Sequence, residues 1–265
     1  MTVSSLSATD EYTDLCRRFQ ALTGLDLSQY KRKQMERRVN AFADRCGAAS
    51  LTEFGERLTR DEDARAAFLD DLTINVSQLW RNPQVWDDLQ RVVLPDLLMD
   101  GRLRAWCAGV SYGAEAYTLA ALCRSVAPQA DVEIFGTDID PAMIARARLG
   151  IFSAREARDA PGDLLAANFH SADDQLSAHD ELKAMVRFEV GDLLTTEPEP
   201  ASYDLVVCRN TVIYFEPPVR DVVHARLASA VRSGGRLVVG STERVSRPAD
   251  CGLEAELPFI YRKGA

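Results

Sequence analysis

From Arg102 onward, apolar runs of strand length alternate with stretches of helical periodicity, and this alternation constrains the fold more than any other feature of the chain. Leu103–Ala108 precedes a helix from Ala114, and Val132–Thr137 precedes a helix from Pro141. Later come Val186–Val190, Tyr203–Cys208, a helix over Pro218–Val231, and Arg236–Gly240. Apolar strands separated by helices call for a mostly parallel sheet covered on both faces, with ligands at the carboxyl ends of its strands. Phe259–Arg262 is expected to be the final edge strand.

Upstream the pattern is helical. Leu15, Phe19 and Leu22 recur at spacings of four and three, as do Met35, Val39 and Phe42. Gly24 and Gly47 stand where helices should stop, and Ser50-Leu51-Thr52-Glu53 resembles a helix entrance. A further helical stretch, Val85–Met99, ends at Asp100-Gly101. The expected organisation is a helical domain over 1–82, a linker helix over 83–101, and an α/β domain over 102–265.

Composition excludes several classes of function. A net charge of -9 argues against a general nucleic-acid binder. The most apolar stretch, Ala105–Cys123, carries Glu115 and is broken by Gly109 and Gly113, so no membrane span is expected. The first ten residues have neither a basic region nor an apolar core, which points to the cytoplasm. The six cysteines form no C-x-x-C pair and read as reduced packing residues, and the three histidines lack metal-ligand spacing, so no metal is expected. One region reverses the charge: between Arg17 and Arg45, eight Lys/Arg face three acids. Such a run is either a solvated face or a docking surface.

Three strand ends carry candidate chemistry. Gly109-Val110-Ser111-Tyr112-Gly113 closes the first strand and opens a helix, either as a cradle for a cofactor or as an ordinary strand-helix turn. Asp138 ends the second strand 25 residues after Gly113, close to the separation at which an acid accepts both hydroxyls of a ribose. This points to a nucleoside cofactor. Asp140 reads as the cap of the helix that begins at Pro141. Asp192, in Gly191-Asp192-Leu193, could accept from an adenine amino group or cap a helix. Arg209 and Asn210 follow an apolar strand and are costly to bury without partners, so they should line a polar site, with Tyr214 nearby. An alternative for Arg209 is a structural pair with Glu115 or Asp192.

Taken together, these residues resemble the CheR-type chemoreceptor methyltransferases, which are S-adenosylmethionine (SAM)-dependent. The resemblance covers nearly the whole chain. It includes Gly24-Leu25-Asp26-Leu27 with Tyr30-Lys31, and Leu72–Arg81 against a family pattern near T-x-N-x-T-x-F-F-R. It continues through Cys208-Arg209-Asn210-Thr211-Val212-Ile213-Tyr214-Phe215, then Ser233–Leu237 and Gly240-Ser241-Thr242-Glu243. It implies a Rossmann-like α/β methyltransferase domain, a small N-terminal all-α domain, and a small inserted subdomain near 164–188.

The resemblance further implies that Asn75, Ser77 and Arg81 reach over the cofactor from the helical domain. Gly109, Glu115, Asp138, Asp192, Leu193, Arg209 and Asn210 would contact it from the sheet, and Arg81 and Tyr214 would flank the transferred methyl group. The implied reaction methylates glutamate carboxylates on cytoplasmic helices of chemotaxis receptors and leaves S-adenosylhomocysteine. A monomer is expected, without nucleic acid and without membrane insertion. Lys31, Arg32, Lys33, Arg37 and Arg38 would dock the acidic receptor surface.

Three departures from the family pattern stand out. Ala114 replaces the first of two acids in G-C-S-x-G-E-E while Glu115 is kept. Asp192 replaces a common asparagine. His170-Ser171-Ala172-Asp173-Asp174 lacks the glycine of the loop that grips a receptor-tail pentapeptide in some members, which implies recognition independent of that peptide. The competing functions are a SAM-binding signalling adaptor without catalysis and a methyltransferase acting on another protein or a small molecule.

Overall fold

The computed structural model describes residues 10–73 and 75–264. The chain divides into two units: residues 1–74 with 214–219, and residues 75–213 with 220–265.

The first unit holds α1 (Glu11–Thr23), α2 (Arg32–Arg45), α3 (Leu51–Arg60) and α4 (Glu62–Leu72). Asp10, Ser50 and Asp61 cap α1, α3 and α4 by accepting from the backbone N–H groups of Thr13, Glu53 and Ala64. These bonds satisfy donors that the first turn of a helix leaves unpaired. Gly24, at φ 81°, ends α1 in the left-handed conformation that glycine tolerates best. Phe19, Phe42, Phe54 and Phe68 form the core, with edge-on ring contacts of Phe68 to Phe19 and Phe54, each at 5.0 Å. Leu22, expected on the buried stripe, is 37% exposed in the last turn of α1. Residues 214–219 join this unit through the backbone. Lys31 N–H donates to the Tyr214 carbonyl at 2.9 Å, Glu216 N–H donates to that of Gln29 at 3.0 Å, and the Tyr30 and Phe215 rings meet edge-on at 4.9 Å.

In the second unit, α5 (Pro83–Asp88), a wide turn over Leu89–Val93, and α6 (Leu94–Leu97) replace the single helix expected over 85–99. Pro95 supplies a reason: it has no N–H to donate to the Arg91 carbonyl, and the wider π-type turn just before it accommodates the loss. This segment is no detached linker, because Trp86, Leu89, Val93 and Leu94 are buried in the same cluster as Leu103, Tyr117 and Phe188. Leu79 and Trp80 also belong to that cluster. For this reason the break falls near residue 74 and not at 82.

The main sheet is built from β1 (Arg102–Ala108), β2 (Asp131–Asp138) and, after β3 (Ile151–Ser153), β4 (Phe169–Ala172) and β5 (Gln175–Ala178), from β6 (Val186–Val190), β7 (Tyr203–Cys208), β8 (Val231–Val239), β9 (Leu253–Leu257) and β10 (Ile260–Lys263). Its order is β6-β2-β1-β7-β8-β10-β9, parallel from β6 to β8 and antiparallel at β10 and β9. The edge strand is therefore Leu253–Leu257. The segment expected at the edge, Phe259–Arg262, falls largely in β10, which is paired on both sides.

Helices α7 (Ala114–Val126), α8 (Pro141–Leu149), α9 (Gly162–Asn168), α10 (Asp180–Ala184) and α11 (Pro217–Ala230) complete the chain. Strands β3, β5 and β4 form a separate antiparallel sheet, so the inserted subdomain starts near 151 and ends before β6 returns to the main sheet. Cys16 is buried in the first unit, and Cys107, Cys123 and Cys208 are buried in the second; all six cysteines are free thiols.

Candidate functional site

The chain leaves β1 toward β2 on one side and reaches β7 on the other, so the strand order reverses at β1, and it is at such a reversal, outside the carboxyl ends of β1 and β7, that an α/β sheet places its ligand crevice. Gly109 begins the turn there at φ 76°, where a methyl group would strike the Thr211 side chain. Ser111, also left-handed at φ 50°, donates its N–H to Asp138 Oδ2 at 2.7 Å. Asp140 N–H donates to Asp138 Oδ1 at 3.0 Å. Each carboxylate oxygen has two lone pairs, so Asp138 retains acceptor capacity after these two bonds. Burial is the leading influence on this carboxyl and raises it above the ordinary aspartate value.

Asp140 has the capping role expected of it: Oδ1 accepts from Ala142 N–H at 2.9 Å and from Met143 N–H at 3.3 Å. Its other oxygen accepts from Asn75 Nδ2 at 3.0 Å, and Ser111 Oγ donates to Asn75 Oδ1 at 3.3 Å. Asn75 is thereby tied to the residues that follow β2 and β1. Asp192 Oδ1 accepts from Leu194 N–H at 2.8 Å in a turn, while Leu193 is buried and its carbonyl accepts from Arg226 at 2.7 Å.

Arg209 and Glu115 form a buried ion pair at 3.1 Å, with side chains 1% and 10% exposed. The structural alternative for Arg209 thus holds, and it places both residues at the end of β7 and the start of α7. The guanidinium also donates to the Arg81 carbonyl at 2.7 Å and to Asn82 Oδ1 at 3.1 Å, and it lies 4.9 Å from the centre of the Trp86 ring. Burial raises the Glu115 carboxyl above its ordinary range, against the downward pull of Arg209. Asn210, at φ 59°, is held by its N–H to Glu243 Oε2 at 2.9 Å, and the same oxygen accepts from Gly240 N–H at 2.6 Å.

Asn75, Ser77, Arg81, Gly109, Glu115, Asp138, Asp192, Leu193, Arg209 and Asn210 all lie in the second unit, and hydrogen bonds join Asn75 to Asp140 and Ser111, Ser111 to Asp138, and Arg209 to Glu115 and the Arg81 carbonyl. Tyr214 belongs to the first unit, as do the five basic residues of the proposed docking face. Of those, Arg32 pairs with Asp10 and Glu36, and Arg38 donates to the Asp71 carbonyl. Lys33 and Arg37 are exposed and make no ion pair among the described residues.

Sequence reasoning gave no role to Glu243, Thr118 or Tyr112. Glu243 organises the loop that carries Asn210. Thr118 Oγ accepts from Trp80 N–H at 3.1 Å, and the Tyr112 hydroxyl donates to the Ser77 carbonyl. The available signal was a buried acid or hydroxyl next to a motif, since such groups need partners.

The fold and the site define an α/β domain that binds a nucleoside cofactor across the carboxyl end of its sheet. Residues 75–254 match the CheR methyltransferase SAM-binding domain and residues 10–73 match the CheR methyltransferase all-alpha domain. The chain belongs to the CheR methyltransferase family, and its cofactor is SAM. It is 35% identical over 242 residues to a chemotaxis protein methyltransferase of Listeria innocua, covering 91% of this chain and 92% of that one. It is 26% identical over 260 residues to chemotaxis protein methyltransferase 1 of Vibrio cholerae, covering 94% of each. Among solved structures it is similar to a TehB-like SAM-dependent methyltransferase from Corynebacterium glutamicum, with a TM-score of 0.40 and 19% identity over 69% of this chain and 96% of that one.

The residues present fit the cofactor. Asp138 keeps lone pairs for a ribose, the turn before α7 is walled by glycine at both ends, and Gly113, the N-cap of α7, brings no side chain to that turn.

Proposed function

We propose that the chain methylates glutamate side-chain carboxylates of chemotaxis receptors, giving glutamate methyl esters and S-adenosylhomocysteine. The observation that carries this reading is the chemistry of the crevice. Asp138 and Asp192 accept from backbone N–H groups and keep lone pairs for a nucleoside, Glu115 pairs with Arg209, and among the described residues assigned to the crevice there is no histidine or lysine to act as a base. Such a site suits an acceptor that needs no deprotonation. A glutamate, with an unperturbed pKa near 4.3, is ionised at neutral pH.

When bound, SAM supplies a methyl group already activated for in-line displacement. Asp138 accepts from the ribose, Asp192 with Leu193 receives the adenine, and Gly109, Glu115, Arg209 and Asn210 line the crevice between. Asn75 and Ser77 close the segment above it. Arg81 is assigned to orienting the acceptor, since a guanidinium can fork onto a carboxylate, and for Tyr214, in the first unit, the family resemblance implies one directed bond from its phenol. Their task is alignment and exclusion of water, from which effective molarities of about 10⁵ M are attainable. Too tight a grip would weaken the nucleophile, so neither residue is assigned proton transfer.

Lys33 and Arg37 on α2 offer free cations to an acidic helical surface of the receptor. The tip of the β4–β5 hairpin is Asp173-Asp174, at φ 45° and 60°. This turn contains no glycine, which supports recognition independent of a receptor-tail pentapeptide. Among the described residues no helix is long and apolar enough to cross a membrane. The proposed action is that of a monomer on the cytoplasmic part of the receptor.

The test is incubation with labelled SAM and receptor cytoplasmic fragments, followed by assay for base-labile methyl esters on glutamate. SAM binding without ester would replace this reading with an adaptor. Label on another acceptor would replace the substrate.

A further inference from the structure

Residues 75–81 adopt no helix or strand, yet the segment is tied on two sides. On one side Asn75 bonds Asp140 and Ser111, and the Ser77 carbonyl accepts the Tyr112 hydroxyl. On the other, Leu79 N–H donates to the Glu156 carbonyl at 2.9 Å and Gln78 donates to Asp159. Trp80, at φ 55°, holds a conformation that a bulky residue keeps only where its surroundings impose it.

Tyr112 is the centre of a closed circuit. It lies within the turn that binds Asp138, between Ser111 and Gly113. Its ring is 3% exposed and carries the Arg146 guanidinium at 3.9 Å from its centre. Arg146 pairs with Glu156 at 2.6 Å, and Glu156 holds Leu79 through its carbonyl. From Tyr112 the path therefore runs to Ser77, Leu79, Glu156, Arg146 and back to the ring. We propose that Tyr112 is a positioning residue whose hydroxyl latches the 75–81 segment to the cofactor turn, with Arg146 and Glu156 holding the ring in place. The phenol is pushed up to about 12 by burial, so it remains a donor throughout the physiological range. Ser77 is held at its backbone carbonyl, so the latch depends on the residue at 112 and not on the side chain at 77. The proposal rests on the reading that this segment closes over SAM.

The test compares the full chain with Tyr112→Phe, which keeps the ring under Arg146 and removes only the hydroxyl. Tyr203→Phe, on β7 and outside the crevice, serves as control. SAM affinity is measured by calorimetry, and trypsin cleavage after Arg81 is followed with and without S-adenosylhomocysteine. Loss of the hydroxyl, whose partners are the Ser77 carbonyl and the Glu156 carboxylate, should weaken SAM binding by about threefold to tenfold and raise KM for SAM in proportion, with kcat changed less than about twofold. Cleavage after Arg81 should become faster in Tyr112→Phe, and protection by S-adenosylhomocysteine should be lost, while Tyr203→Phe matches the native chain. Native affinity and native protection in Tyr112→Phe would overturn the latch alone. Absence of protection in the native chain would overturn the closure reading and the latch with it.

Discussion

Removing the Glu115 carboxylate should unfold the second unit more readily, by an amount that the surroundings of Arg209 determine. In Glu115→Ala the guanidinium stays buried with two hydrogen bonds, to the Arg81 carbonyl and Asn82 Oδ1, and with the Trp86 ring beneath it. Breaking a buried pair from one side costs about 3–5 kcal/mol. Because those remaining partners still solvate the cation, the lower end, about 3 kcal/mol, is expected. All three tryptophans, Trp80, Trp86 and Trp106, lie in the second unit, so intrinsic fluorescence in urea reports on that unit alone. With a slope of about 3 kcal/mol per M, the midpoint should fall by about 1 M.

Arg209→Met leaves the opposite charge behind. Glu115 has its folded value raised by burial, so between the unfolded and folded values the folded state holds the proton and gains stability as the pH falls through that window. The cost of Arg209→Met should therefore shrink in acid. A double-mutant cycle should give a coupling of about 2–3 kcal/mol at neutral pH. A midpoint for Glu115→Ala that coincides with native, or effects that add within about 0.5 kcal/mol, would refute the pair as a mutually dependent unit.

Asp138→Asn should weaken SAM binding by about tenfold to a hundredfold in calorimetry, since charge-assisted bonds are worth about 1.5–3 kcal/mol. Because burial raises the Asp138 carboxyl, native affinity should decline on acidification at a pH above the ordinary aspartate value, and the Asn variant should lack that component. Lys33→Glu with Arg37→Glu should cut kcat/KM for receptor by about tenfold at low salt and flatten its salt dependence, with SAM affinity unchanged. Receptor fragments with and without their last five residues should be methylated at rates within about twofold, and strong loss on truncation would reverse the reading of the Asp173-Asp174 hairpin.

The parallel part of the sheet was legible because its strands are covered on both faces and so are apolar nearly throughout, as in Ala105–Ala108 and Leu205–Cys208. Strand β9, Leu-Glu-Ala-Glu-Leu, escaped notice because it lies at the edge, with only Leu253 fully buried. Asp140 was legible as a cap from the proline after it, and Arg209 from the cost of placing a cation beyond an apolar strand. Neither the placement of residues 75–81 in the second unit nor that of Tyr214 in the first could be read locally. Leu79 and Trp80 are drawn into the sheet's core by tertiary burial, whereas Tyr214 is held by the Lys31 backbone. The Tyr112 circuit needs residues 77, 79, 146 and 156 to converge, and no sequence spacing announces that.

The distribution of free thiols turns the chain into its own stopwatch. Burial raises the Cys107 and Cys208 thiols well above the usual range, and both sit on central strands of the second unit, whereas Cys16 is covered within the helices of the first. A neutral alkylating reagent can reach each of them only while the local structure is open. The order in which these cysteines acquire label, read by mass spectrometry on the untouched native sequence, would time the opening of the helical unit and of the sheet separately within one sample.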